Sequence, residues 1–286
     1  LIQILSLAII GTIIIFTISP SVAENKGYEE LHFFKNHILY MFFAFVSILF
    51  TSFFSKKGII RFGLIGFIIS LFLLTLVMFF GSDINGATRW LRFGMFSIQP
   101  SEFMKPFFVI TTALILSEKY KVPNNMSKYL SPNFISGILL FIIILFLLKQ
   151  PDLGMSIIVV LIWTGQLFLA GLSLRWVVLM FGFLGFGVLL GYNFFEHVKN
   201  RIDCFFDISC QGIDQVTNSF KAYEAGGLIG KGPGTGVIKN SISDAHTDFI
   251  FPVVAEEFGA IFCIIILLLS CSIVLRGFIR IFDRND

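Results

Sequence analysis

The chain has 286 residues, 56% of them hydrophobic and only 14% charged, with 37 Phe and a mean hydropathy of +0.88. Soluble proteins carry about 25% charged residues, so a water-soluble enzyme is excluded, and a net charge of +3 is too small for a nucleic-acid partner. What remains is an all-α polytopic membrane protein, read as a single helical bundle over residues 1–286 with little room for a separate soluble domain.

A span needs about 20 mostly apolar residues. Such runs occur at Leu1–Ile18, Ile38–Phe54, Phe62–Phe80, Pro100–Ser117, Phe134–Leu148, Leu153–Leu172, Trp176–Tyr192 and Phe249–Leu275, about eight transmembrane helices. Ser21-Val22-Ala23 resembles a signal-peptidase site, but the run before it lacks a basic leader and is long for one, so a retained helix is expected. Basic residues flank the spans at Lys56, Lys57 and Arg61, at Lys119, Lys121 and Lys128, at Arg175, and at Arg276, Arg280 and Arg284. The positive-inside bias then predicts N-in and C-in, with the long loop Asn193–Thr247 outside the cytoplasm.

Polar chemistry collects on that outer face. Gly81–Lys105 carries Gly81, Gly86 and Gly94 for tight turns, Arg89 and Arg92 with guanidinium forks suited to phosphate, and Trp90 with a face for a sugar. Pro100 suits a first helical turn, and Glu102 and Lys105 then share one helix face. The alternative is structural: the arginines snorkel to headgroups and Glu102 pairs with Lys105. In Lys149–Gly154, Gln150-Pro151 forces a turn or a helix break, and Asp152 is expected to cap the next helix, with substrate contact the alternative. Gly226–Lys239 has the composition of a phosphate-cradling loop but not the spacing of one; a glycine turn with Lys231 and Lys239 near anionic headgroups is expected.

Cys204 and Cys210 lie in the outer loop, where an oxidising compartment would allow pairing, while Cys263 and Cys271 read as small apolar residues of the last span. No Cys/His spacing suggests zinc. The most informative stretch is Ala245–Ser270, where His246, Asp248, Glu256 and Glu257 stand at the head of a span. A carboxylate carried toward hydrocarbon costs roughly 2.5–3.5 kcal/mol at a helix centre and marks function by default. Asp248, just before Phe249-Ile250-Phe251, is placed where water gives way to lipid, as a base for a polar substrate delivered from the bilayer.

The ordered motifs NGATRW (Asn85–Trp90), QPSEFMK (Gln99–Lys105), QPDLG (Gln150–Gly154), GKGPGTG (Gly230–Gly236), HTDFIF (His246–Phe251) and AEEFG (Ala255–Gly259) resemble the SEDS family (shape, elongation, division and sporulation), of FtsW/RodA type. Ser19–Ala23 and Phe33–Lys35 look most like alphaproteobacterial FtsW. The resemblance implies a peptidoglycan glycosyltransferase of the bacterial cytoplasmic membrane, placed at the division septum. Its substrate would be lipid II, the undecaprenyl-pyrophosphate-linked disaccharide peptide. Implied partners are a class B penicillin-binding protein transpeptidase and other divisome membrane proteins. Asp248 corresponds to the family's catalytic candidate; Arg89, Trp90, Glu102, Lys105, Lys239 and His246 are the expected substrate-binding residues. No metal ligands are assigned, and a divalent cation, Mg or Mn, is an optional addition. The family normally has ten spans and a Gly-Gly-Ser-Ser element beyond these eight, so a C-terminal truncation is expected. Ser243 and Pro252 also depart from the family pattern. A lipid II flippase and a non-catalytic scaffold for the transpeptidase are the alternative functions.

Overall fold

In the computed structural model, the structure describes residues 2–84, 87–93, 96–117, 131–194, 196, 198–199, 202–203, 214–242 and 245–282. Helices dominate: α1 (Ile2–Lys26), α2 (His32–Ser52), α3 (Lys56–Phe80), α4 (Pro100–Leu116), α5 (Pro132–Lys149), α6 (Leu153–Leu169), α7 (Leu174–Phe194), α8 (Asp214–Gly226) and α9 (Ile250–Phe282). Every apolar run of the sequence forms a helix. Six are long and apolar enough to cross a membrane. The other two, α4 and α6, have 17 residues each, about 25 Å of helix. Expectations concerning Gly86, Gly94, Lys119, Lys121, Lys128, Cys204, Cys210, Ser243 and Arg284 fall outside the described residues.

The stretch between α3 and α4, read from sequence as glycine turns, contains strand. Antiparallel β1 (Ser82–Ile84), β2 (Ala87–Phe93) and β3 (Phe96–Ile98) form a small sheet in that order, with Leu91 opposite Ile98 and Ser82 opposite Trp90. Glycines at the ends of β2 favour turns, but Leu91 and Phe93 lie two residues apart, the period of one strand face, and Leu91 is buried.

The chain divides into two compact units, Thr51–Leu190 and the pair Leu1–Phe50 with Gly191–Asp286. In the first, Phe67, Leu74, Met104, Phe108, Ile143, Leu147 and Val159 form the core. A Cβ on Gly66 would collide with the Phe107 ring, so the missing side chain is what lets α3 and α4 lie close, as small residues do between membrane helices. Polar side chains tie α4 to α6: Thr112 donates to Gln166 at 2.6 Å, and Gln166 donates to the Val109 carbonyl at 2.9 Å. Such interhelical bonds are worth about 0.6–2 kcal/mol in a bilayer. Helix starts follow local chemistry, with Ser55 capping α3, Ser131 capping α5 and Asp152 capping α6 through Met155 N–H.

In the second unit, Ile14, Ile18 and Val22 of α1 pack with Ile242, Ala245, Val253, Val254 and Cys263. Gln3 donates to Ser272 at 2.9 Å, joining the far ends of α1 and α9. Helix α1 runs on through Ser21–Ala23, with Val22 and Ala23 buried.

Candidate functional site

Helix α9 is not continuous. Gly259 has φ 82° and ψ 173°, so Ile250–Phe258 and Ala260–Phe282 are two helical pieces. A break strips main-chain groups of their helical partners, and at membrane depth these must be satisfied within the protein. The glycine loop after α8 does this. Lys231 and Gly232 N–H donate to the Glu256 and Glu257 carbonyls, both at 2.9 Å, and Ala260 and Ile261 N–H donate to the Gly227 and Leu228 carbonyls at 2.9 and 3.2 Å. The loop must approach closely: a Cβ on Gly226 would strike the Ala255 carbonyl, and one on Gly230 the Glu257 carbonyl.

The same loop does cradle an anion, but an internal one. The Glu256 carboxylate is fully buried. It accepts the N–H groups of Val237 and Ile238 on Oε1 at 2.8 and 3.0 Å, and of Lys239 on Oε2 at 3.1 Å. These donors open the 3-10 turn Ile238–Ser241; successive N–H groups aimed at one anion form a nest. Lys239 therefore is not at the headgroups. It is 4% exposed, and its ammonium donates to Glu257 Oε1 at 2.6 Å and to the Thr17 and Gly234 carbonyls, both at 3.3 Å. A buried cation needs such partners because desolvation costs several kcal/mol per ion. The expected four-residue ionisable cluster thus divides: Glu256 and Glu257 face inward.

Asp248 behaves differently. It lies in the turn before α9 and is exposed, and no side-chain hydrogen bond or ion pair engages it among the described residues. It does not cap the helix. Two residues earlier, His246 packs on the Phe33 ring, with centroids 4.3 Å apart, which brings the FFK and HTDFIF segments together. Pro252 sits in the first turn of α9, where its missing N–H has no helical partner to lose.

In the other unit, Arg89 donates from Nε to the Gln150 carbonyl at 3.3 Å and from Nη2 to the Pro151 carbonyl, and its Nε lies 3.6 Å from Asp152 Oδ2. The QPD turn holds this guanidinium. Trp90 is half-buried and Arg92 exposed on β2. Lys105 and Glu102 pair at 2.7 Å on the first turns of α4, with Glu102 half-exposed. Among the described residues no three His, Cys, Asp or Glu side chains converge as metal ligands. Sequence reasoning missed the part played by Glu256 and the glycine loop; the one available signal was a glycine directly after Glu256-Glu257-Phe258 inside an apolar run.

Across residues 1–286 the sequence matches the FtsW, RodA and SpoVE family, described as cell cycle proteins. A probable peptidoglycan glycosyltransferase FtsW of Caulobacter vibrioides is 32% identical over 284 residues, covering 98% of this chain and 71% of its own length. One from Wigglesworthia glossinidia brevipalpis is 34% identical over 283 residues, covering 96% and 72%. Among solved structures, the rod shape determining protein RodA of Thermus thermophilus superposes with a TM-score of 0.63 at 20% identity, covering 96% of this chain and 71% of that one. A chain of a peptidoglycan synthase complex gives 0.65 at 21% identity, covering 92% and 75%. At these identities the structural likeness speaks to the fold.

Proposed function

The chain belongs to the FtsW, RodA and SpoVE family, and from that premise we propose that it is a peptidoglycan glycosyltransferase, polymerising lipid II at the outer face of the cytoplasmic membrane. The observation that carries the reading is the contrast at the head of α9. Of three neighbouring acids, two are buried against internal donors, while Asp248 is exposed and, among the described residues, unengaged.

Glycan extension needs a base to take the proton of the acceptor sugar's 4-hydroxyl as that oxygen attacks the donor's anomeric carbon. A carboxylate within hydrogen-bond reach serves, and Asp248 has both lone-pair faces available for it. The leaving group is a lipid pyrophosphate, whose developing charge calls for fixed cations. Lys105 is the candidate for that role, since an ammonium paired to one partially exposed carboxylate keeps donors for another anion. Arg89 supports the same face of the protein through the QPD turn. Trp90 and His246 are proposed as flanking contacts. A septal location and a penicillin-binding transpeptidase partner belong to the same proposal.

Asp248→Asn tests it. Asn keeps size and hydrogen bonding but is a far poorer base, so lipid II should still bind while polymer formation falls by about 10²–10⁴, the usual contribution of general-base catalysis. Normal polymerisation by the Asn variant would remove Asp248 as the base. Movement of lipid II across vesicles with no polymer from the wild-type chain would favour the flippase instead.

A further inference from the structure

We propose that Glu256 is a positioning residue that pins closed the loop carrying Asp248. This rests on Asp248 being the base, and it deepens that reading. The Glu256 carboxylate bonds three successive N–H groups at Val237, Ile238 and Lys239, up to 19 residues back along the chain. It therefore forms the neck of a loop running from Val237 to Glu256, with Asp248 near its far end. A second clasp at the same neck is the Lys239–Glu257 pair, which also reaches the Thr17 carbonyl of α1.

Between the neck and Asp248 the described residues Ile242 and Ala245 are tied to the main chain before them. Ile242 N–H bonds the Lys239 carbonyl at 3.2 Å and Ala245 N–H the Ile242 carbonyl at 3.3 Å. Ile242 and Ala245 are buried among Val253 and Val254. Asp248 is then fixed from one side by this buried track and from the other by the start of α9. Because Glu256 sits on α9, the acid that shapes the loop and the helix that carries it are one rigid piece. Gly236 completes the clasp: a Cβ there would lie 2.8 Å from Glu256 Oε2 and 3.0 Å from its Cδ, so any side chain would push the carboxylate off its donors.

Two variants test this from opposite sides of the contact. Glu256→Gln offers one acceptor oxygen where the carboxylate offers two and removes the charge, while Gly236→Ala leaves Glu256 intact and displaces it. The purified chain in lipid nanodiscs is followed by amide hydrogen exchange, which reads local opening, and by steady-state polymerisation of lipid II. Both variants should speed exchange at residues 242 and 245–249 about tenfold or more. They should lower kcat on the order of 10²-fold, the cost of a misplacement of about 1 Å at a catalytic group, with KM for lipid II little changed. Lost kcat with unaltered exchange would overturn the proposal and make Glu256 a participant in chemistry. Faster exchange with normal kcat would also overturn it, as would no change in either. If Glu256→Gln fails to fold, Gly236→Ala decides alone. Should Asp248→Asn prove active, the base assignment falls, and the exchange rates still judge whether the clasp holds the loop.

Discussion

Arg89 and Lys105 look alike in sequence as two cations on one outer face, and their surroundings separate them. Helix α5 leaves the carbonyls beyond its last turn without helical partners, and Arg89 bonds two of them, at Gln150 and Pro151, while standing beside Asp152. A fork-shaped guanidinium can reach successive carbonyls as an ammonium cannot. Charge-assisted hydrogen bonds are worth about 1.5–3 kcal/mol, so Arg89→Ala should lose roughly that in thermal or denaturant unfolding, and Arg89→Lys should recover only part. Among the described residues Lys105 has a partly exposed i,i+3 pair with Glu102, worth about 0–1 kcal/mol. Lys105→Ala should leave unfolding almost unmoved and weaken lipid II use about tenfold or more, the loss of one charge-assisted contact. Equal destabilisation by both substitutions would make Lys105 a strut like Arg89 and end its assignment to pyrophosphate.

At the scale of the element, hydropathy made the helices legible because a bilayer imposes length and apolarity on every span, and all eight runs are helical. Asp152 as a cap was also readable, since a short acceptor before an apolar run has few other uses. The interruption of α9 was not. Its cause lies about thirty residues upstream, in loop main-chain groups that no periodicity records. Lys239 misled for the same reason: lysines in glycine loops usually face solvent, and its partner Glu257 is hidden one helix away. The break itself is testable. At Gly259 a side chain would need φ near +82°, and its Cβ would run into the main chain of Leu228, Ile229 and Gly230. A positive φ costs a non-glycine residue about 1–3 kcal/mol, before any clash with backbone that cannot rotate away. Gly259→Ala should therefore unfold well below the wild type in detergent, whereas Gly277→Ala, with open space around it, should not. Matching stability for the two would mean the helix can straighten.

At the scale of the whole molecule, sidedness follows from counting crossings, and α4 and α6 are the doubtful ones at 17 residues each. For α4 the structure supplies a check. Arg89, before α4, touches the turn between α5 and α6, so both points lie on one side and an even number of crossings separates them. If α5 crosses, α4 must as well. Helix α6 has no such internal check, and it decides whether the loop before α9 lies outside. With α6 crossing, six spans separate the basic start of α3, at Lys56 and Lys57, from Arg276 and Arg280 near the end of α9, and both clusters lie inside. With α6 failing to cross, Asp248 would face the cytoplasm and could not meet an outer-leaflet substrate. Lys221 on α8 is the right reporter: it is exposed, whereas its neighbour Ser219 is buried. In a background lacking the four native cysteines, Lys221→Cys should react with a membrane-impermeant maleimide when the inner membrane is intact. Lys57→Cys should react only after that membrane is permeabilised. Protection of both sites would place the loop, and with it Asp248, on the cytoplasmic side and defeat the proposed polymerase.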